Sequence, residues 1–239
     1  MAKQRRKVIV AGNLWMAVQY TAIHGQNQSA RREARMRLST PAREALNFTR
    51  SWQKLMLLLA ANFRRRDLVV TLTYRDADLP PTREIADKRL DCFIRALREH
   101  RRRQGKDLLY CRVTEGYHSD GRLHHHLIIN ATGNDFEFIR QRWSKNGDDV
   151  KFDLFGSDGA ERWAKYLTKE PREKGRRYVG DRTWRTSRNV KKPVISHCYV
   201  SENEPLMPPP GASILDRTEN QNSFGSFTHV IAMLPEEDN

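Results

Sequence analysis

The segment 115–129 constrains the fold more than any other part of the sequence. It contains Asp120-Gly121, a dipeptide typical of two-residue hairpin turns, and then a short apolar run of β-strand character. Alternate residues of a strand face opposite sides of a sheet. His124 and His126 therefore share one face, and His125 points to the other face, where a neutral imidazole can pack in a core. The segment predicts a β-hairpin.

A two-residue turn also sets the register of this hairpin. Glu115 would lie directly opposite His126, with its side chain on the face that carries His124 and His126. Two imidazoles and a carboxylate that converge on one point form a suitable ligand set for a divalent metal ion. Tyr117 and His118, which lie in the same arm of the hairpin, are alternative ligands. We predict a metal site built from Glu115, His124 and His126.

The charge of the chain is large and unevenly distributed. The net charge is +14, but residues 200–239 hold one Arg and seven Asp or Glu, so residues 1–199 carry +20. This balance favours a polyanionic partner, with nucleic acid first and an anionic membrane surface second. No stretch of 18 apolar residues predicts a membrane span. Cys92, Cys111 and Cys198 show neither zinc spacing nor a disulfide pattern, which favours a reducing cytoplasm.

The order of the predicted elements indicates the fold class. Helices are predicted at 41–63, 81–103, 134–143 and 158–170, and strands at 68–74, 108–117, 122–130 and 150–154. From the first strand onward, this order predicts an α+β fold, a ferredoxin-like split βαβ sandwich with a central antiparallel sheet. One face of that sheet would pack on helices, and the other would be open and carry the two histidines.

Composition divides the chain into three parts. Residues 1–40 are predicted to be a basic N-terminal extension, and residues 41–199 the main domain. Residues 200–239 turn to Pro, Ser, Asn and Glu, which predicts an acidic and largely disordered tail.

The predicted helix 158–170 contains a candidate nucleophile. Asp158 and Glu161 form a capping pattern at its start. Tyr166 lies at the rim of an apolar stripe that includes Trp163, and Lys169 is on the same side one turn later. The ammonium of Lys169 would favour the phenolate form of Tyr166 or steady a phosphate under attack. Together with a metal site, these residues predict phosphodiester transfer through a covalent phosphotyrosine.

Three segments carry a resemblance to a known family. They are Val70-Thr71-Leu72-Thr73-Tyr74, then Gly121-Arg122-Leu123-His124-His125-His126 with Glu115 upstream, and Tyr166-Leu167-Thr168-Lys169. On these motifs the chain resembles the HUH endonucleases, in the single-tyrosine branch of rolling-circle replication initiators from phages and plasmids. His125 departs from the family pattern, in which the residue between the two histidines is usually bulky and hydrophobic.

The resemblance implies an activity and its residues. The protein would nick and religate single-stranded DNA at an origin hairpin or nick site through a 5′-phosphotyrosine. Glu115, His124 and His126 would hold Mg²⁺ or Mn²⁺, Tyr166 would attack, and Lys169 would assist. Tyr178 is the second choice for the nucleophile. Basic and aromatic residues that interleave, as suits single-stranded DNA, join motif residues as predicted DNA contacts: Thr71, Thr73, Arg122, Arg176, Arg177, Tyr178, Trp184 and Arg188.

The sequence also indicates partners and rival functions. It contains no P-loop motif, so strand separation and synthesis would need a separate helicase and polymerase of the host. No membrane partner is expected, and the cytoplasm of a bacterial host is the expected location. A transposase or relaxase of the same chemistry is one alternative. A non-catalytic protein that binds single-stranded nucleic acid, with structural histidines, is the other.

Overall fold

A computed structural model describes residues 3–21, 41–116, 122–133, 135–147, 149–169, 183–222 and 225–235. Within these ranges the chain forms two five-stranded antiparallel sheets and four α-helices. The chain divides into two compact units, one formed by Met1–Asn47 with Lys192–Asn239 and the other by Phe48–Lys191.

The elements are numbered along the chain. The helices are α1 (Pro41–Asn62), α2 (Arg83–Arg102), α3 (Phe136–Trp143) and α4 (Gly159–Leu167). The strands are β1 (Lys3–Ala11), β2 (Leu14–Thr21), β3 (Leu68–Thr73), β4 (Tyr110–Glu115), β5 (His124–Ile129), β6 (Asp149–Leu154), β7 (Arg185–Thr186), β8 (Val194–Ser201), β9 (Ser213–Asn222) and β10 (Gly225–Met233). No helix in the described ranges is both long and apolar enough to cross a membrane.

The sheet of the unit Phe48–Lys191 has the strand order β6-β3-β5-β4-β7. All four of its strand pairs are antiparallel. Helix α2 connects β3 to β4, and helix α3 connects β5 to β6, which is the connectivity of a split βαβ sandwich. The predicted α+β, ferredoxin-like class is therefore confirmed.

One face of this sheet packs against α2 and α3. Alternate residues of β3 and β5 supply the sheet side of the core, and the inner faces of the two helices supply the other side. The buried side chains of this core include Val70, Leu72, Leu127, Ile129, Leu90, Phe93, Leu97, Ile139 and Trp143.

The opposite face is not open, as the sequence predicted, but is covered in part by helix α4. Val69, Cys111 and Ile128 lie on this face and are fully buried. The ring of Tyr166 on α4 contacts the ring of His126 on β5. The physical reason is that the central strands are apolar on both faces, so both faces need cover.

The hairpin of β4 and β5 has a register two residues away from the predicted one. Glu115 pairs with His124, and Val113 pairs with His126. The prediction that Glu115 lies opposite His126 is therefore wrong. The dipeptide Asp120-Gly121, on which that register depended, lies outside the described residues. A shift of two residues keeps each side chain on its predicted face, because the side-chain period of a strand is two.

Helix α4 is shorter than predicted at its C-terminal end. It begins after Asp158, whose side chain makes no capping hydrogen bond, and it ends at Leu167 rather than at residue 170. The hydroxyl of Thr168 donates to the carbonyl oxygen of Ala164 and closes the last turn. At the start of the helix, a Cβ on Gly159 would come within 2.6 Å of the Phe155 ring, so glycine permits this close packing.

The other unit contains a sheet that composition did not predict. Its order is β8-β1-β2-β10-β9, so strands from residues 3–21 and residues 194–233 pair with one another. The predictions of a plain basic extension and of a disordered tail are wrong for these strands. A core that includes Trp15, Ala17, Val230 and Ala232 holds them together. Alternating strands of this kind have a polar average composition, which conceals their apolar faces.

Candidate active site

Three side chains of the β4–β5 hairpin meet at one point. The Nε2 atoms of His124 and His126 are 3.1 Å apart. Each of them lies 3.5 Å from Oε2 of Glu115. Ligand atoms about 2.1 Å from one ion, at angles of about 90–110°, are about 3.0–3.4 Å apart. Glu115, His124 and His126 therefore form a group that could hold a metal ion.

The hydrogen bonds behind the two imidazoles orient them for this role. Nδ1 of His124 donates to the carbonyl oxygen of Arg122 at 2.7 Å, because a carbonyl can only accept. Nδ1 of His126 lies 3.1 Å from the hydroxyl of Thr71, which can accept in the same way. With the proton on Nδ1, each neutral ring presents an Nε2 lone pair to the point where the three side chains meet.

Glu115 is a buried carboxylate with an unused oxygen. Burial raises the pKa of Glu115, but hydrogen bonds from His124 and His126 and their charge outweigh burial and bring the pKa down to about 2. Its Oε1 atom is buried and has no hydrogen-bond partner among the described residues. A buried polar atom without a partner is costly, and a cation would satisfy it. Donor set and orphaned oxygen thus both fit a divalent ion.

His125 faces the other way, into the core, as predicted. Its Nε2 atom lies 2.8 Å from the hydroxyl of Tyr74, and its Nδ1 atom lies 2.9 Å from the hydroxyl of Thr114. Thr114 in turn donates to the carboxylate of Asp87 at 3.1 Å. Thr114 therefore accepts from Nδ1–H of His125, and Tyr74 donates to Nε2. Burial holds the pKa of His125 well below its usual value, so the ring is neutral.

Tyr166 lies beside the three-residue group. Its ring contacts the ring of His126 edge-on, with centroids 5.3 Å apart, and contacts Trp163 in the same manner at 5.7 Å. The side chain is 37 % exposed, so it is anchored on one side and accessible on the other. This matches the half-anchored position at the rim of the apolar stripe that the sequence indicated.

Two lysines lie near this tyrosine, in different surroundings. The Nζ atom of Lys169 lies 4.2 Å from the centroid of the Tyr166 ring, over its face. Lys165 instead pairs with Glu161 at 2.5 Å and lies over the ring of Trp52 on α1. Lys169 is therefore the cation adjacent to Tyr166, although it follows the end of α4.

The predicted DNA contacts on β3 and before β5 make internal hydrogen bonds. Thr71 contacts His126, as described above. The backbone carbonyl of Thr73 accepts a hydrogen bond from Trp143. The guanidinium of Arg122 donates to the carbonyl of Tyr74 at 2.8 Å and lies 3.0 Å from the carboxylate of Asp76. Arg122 and Thr71 thus help to position the histidine-bearing strand.

Other predicted contacts lie farther along the chain. Trp184 has Lys54 of α1 over its ring at 5.9 Å, and Arg188 is exposed. Several residues named by the sequence lie outside the described ranges: Tyr117, His118, Arg176, Arg177 and Tyr178.

The sequence did not indicate the network around His125. Tyr74, Thr114 and Asp87 belong to three different parts of the chain, and none of them stands in a recognisable spacing with His125. The cross-strand pair Thr114–His125 was the available signal, but it depends on the hairpin register. With the predicted register, that pair is missed.

The chain was compared with known proteins on the basis of its sequence and its structure. Residues 67–171 match the family model of the replication-associated protein ORF2. The matched region begins just before β3 and ends after α4, so it includes the three candidate ligands, Tyr166 and Lys169. The match supports a role in the initiation of replication, and such a role implies interaction with DNA. Searches of the curated proteins and of the solved structures gave no match to the chain.

Proposed function

We propose that this protein is a metal-dependent DNA nickase and strand transferase that initiates rolling-circle replication. The observation that carries the proposal is the contact between the ring of Tyr166 and the ring of His126. It places a half-exposed phenol next to a group suited to a divalent cation. The match to replication-associated proteins supports the same activity.

In this proposal Glu115, His124 and His126 hold Mg²⁺ or Mn²⁺. The ion, when bound, would polarise the scissile phosphate and orient it for attack. The protein supplies the orientation of its ligands: Arg122 and Thr71 hold the two imidazoles from behind. Two nitrogen atoms and one carboxylate leave further coordination positions for phosphate oxygens.

Tyr166 is the proposed nucleophile. Its phenolic oxygen attacks the phosphorus of one phosphodiester, and the bond between phosphorus and the 3′ oxygen breaks. The phenol loses its proton, the departing 3′ oxygen gains one, and the 5′ phosphate remains on the tyrosine. Because one phosphodiester replaces another, a 3′ hydroxyl can later reverse the step and reseal the strand.

Lys169 is proposed to assist through its charge. Its ammonium lies over the ring face of Tyr166, where it stabilises negative charge that develops at the phosphate and on the phenolic oxygen. The salt bridge of Lys165 to Glu161 makes that residue the weaker candidate for this role.

The substrate in this proposal is single-stranded DNA at an origin. The net charge of +14 favours a polyanion. Trp184 with Lys54 beside it offers a ring and a cation, the combination that suits stacked bases and a phosphate backbone. Helicase and polymerase would be supplied by a bacterial host, in whose cytoplasm the reaction would take place.

A covalent-adduct assay tests this function. The protein is mixed with a labelled pool of single-stranded DNA and Mn²⁺, with and without EDTA, and the products are separated on denaturing gels. We expect a labelled protein band that needs the metal, together with DNA that ends in a free 3′ hydroxyl. DNA binding that survives EDTA, without any adduct on a pool that contains the cognate origin, would instead support the non-catalytic binding protein.

A further inference from the structure

The sheet β8-β1-β2-β10-β9 has two faces of different character. On one face, a core of apolar side chains from β2 and β10 packs with Leu206. The polar residues of this face are hydrogen-bonded internally: Arg6 donates to Gln19 and pairs with Glu204, and Gln19 donates to the carbonyl of Glu204. This face is closed by the chain's own residues.

The opposite face carries a row of aromatic residues across the sheet. The strand pairings align Tyr199 of β8, Arg5 of β1, Tyr20 of β2 and Phe227 of β10. Tyr199 is 61 % exposed and Phe227 is 40 % exposed, while Arg5 is exposed and Tyr20 is half-buried. We call these four residues the aromatic row.

The next row along the strands is basic. It aligns His197, Lys7, Val18 and His229. Neither Arg5 nor Lys7 has an ion-pair partner in the part of the chain that the structure describes, which makes both charges available to a ligand.

The apolar and acidic residues of this face lie one row farther away. That third row aligns Ile195, Ile9, Met16, Ile231 and Asp216. Ile9, Met16 and Ile231 are buried, in contrast to the aromatic row. The exposed aromatic rings therefore stand with the positive charges, at the end of the face away from Asp216.

We propose that the aromatic row is a second binding site for single-stranded DNA, separate from the candidate active site. This rests on the proposed function, in which single-stranded DNA is the substrate. Bases would stack on Tyr199, Tyr20 and Phe227, while Arg5 and Lys7 contact phosphates. Neighbouring strands are about 4.8 Å apart, so the row extends over about 14 Å. Sheets with such rows stack roughly two or three bases.

The shape of the face favours a single strand over a duplex. A sheet of five strands is about 20 Å or more across, and the major groove of DNA is about 12 Å wide. The sheet cannot enter the groove, and a duplex does not present the faces of its bases. A single strand does present them, and exposed rings flanked by cations are complementary to it.

The binding test uses the full-length protein and a fluorescein-labelled oligothymidylate in EDTA, with anisotropy as the readout. Tyr199→Ala and Phe227→Ala should each weaken binding about tenfold, because each removes one stacking ring. Arg5→Gln should weaken binding and reduce its salt dependence. Two matched controls lie on the other face: Val194→Ala, a 70 % exposed residue of β8, and Arg217→Gln on β9.

Three results would overturn the proposal. The first is an affinity within about twofold of wild type for both aromatic variants, far short of the loss expected for a stacking ring. The second is an equal loss for Arg217→Gln and Arg5→Gln, which would indicate a general effect of charge. The third is a dimer that dissociates in Tyr199→Ala while DNA affinity is unchanged, since a second copy of the chain would then occupy this face.

A second measurement does not depend on the folding of variants. Wild-type protein is irradiated with an oligonucleotide that contains bromodeoxyuridine, and the cross-linked peptides are identified by mass spectrometry. We expect cross-links on the peptides that contain Tyr199, Tyr20 or Phe227. Cross-links confined to residues 48–191 would overturn the proposal.

The aromatic row and the proposed nickase activity fail in distinguishable ways. If the row is wrong, Tyr199→Ala binds normally, whatever the adduct assay shows. If nickase activity is wrong, no adduct forms with wild type, but the effects of Tyr199→Ala and Phe227→Ala on binding in EDTA remain.

Discussion

The ring of Tyr166 meets the ring of His126 edge-on, with centroids 5.3 Å apart. The two residues are 40 positions apart in the sequence, one on a helix and the other on a central strand. Their contact brings a phenol, two imidazoles and a buried carboxylate into one site. Each of these groups has ordinary structural roles elsewhere, and their convergence is what favours chemistry.

Neighbouring histidines of β5 should respond in opposite ways to substitution. His126→Ala should abolish Mn²⁺ binding, measured by titration calorimetry, because it removes one of three ligands. His125→Leu should retain Mn²⁺ binding, because its ring faces the core. It should also lower the free energy of unfolding by about 1–3 kcal/mol, since Tyr74 and Thr114 lose their buried partner. Loss of Mn²⁺ binding in a folded His125→Leu protein would contradict the ligand assignment.

Lys169 should affect the rate of the covalent step. Lys169→Met should slow adduct formation about 10²-fold, as expected for the loss of one group that stabilises developing charge. The rate is measured in single-turnover experiments at saturating DNA. Lys165→Met is the matched control, because Lys165 pairs with Glu161 instead. Equal rates for the two variants would refute the role of Lys169.

A buried ion pair between α2 and the start of α3 should contribute to stability. Arg101 and Asp135 are almost fully buried, and their side chains are 2.6 Å apart. Asp135→Ala should lower the free energy of unfolding by about 3–5 kcal/mol, because it leaves a buried guanidinium without its counter-charge. Asp78→Ala breaks the more exposed pair with Arg75 and should cost about 0–1 kcal/mol. Denaturant unfolding measures both, and similar losses would contradict the account.

The same carboxylate should make stability depend on pH. Burial raises the pKa of Asp135, but hydrogen bonds from Arg101 and Thr132 outweigh burial and lower it. A folded-state pKa below the unfolded one stabilises the protein above the unfolded value, near about 3.9, and this contribution is lost as pH falls toward the folded value. Urea midpoints between about pH 6 and 3 should therefore fall less steeply for Asp135→Asn than for wild type. Parallel curves would contradict this assignment.

Much of the site was predictable because strand alternation is robust. The faces of Glu115, His124 and His126 depend on the parity of their positions, and a register shift of two residues leaves parity unchanged. The position of Tyr166 was predictable for a similar reason, since helical periodicity sets its angle to Trp163. The predicted helices and strands of residues 41–169 are confirmed to within a few residues.

What could not be predicted depends on pairing between distant segments. The hairpin register depends on the connection 117–121, and the hydrogen bonds of His125 depend on that register. The strands β9 and β10 have a polar average composition, and their apolar faces are recognisable only once they pair with β2. The aromatic row emerges from the pairing of four strands, from both ends of the chain.

The central claim is that Tyr166 forms a covalent bond with DNA next to the three-residue group. The most direct test is to digest the adduct of the wild-type protein with protease and nuclease, and to identify the modified peptide by mass spectrometry. The account predicts a phosphotyrosine nucleotide at Tyr166, and no adduct with Tyr166→Phe although that variant binds Mn²⁺ and DNA normally. An adduct on another tyrosine, retained in full by Tyr166→Phe, would contradict it.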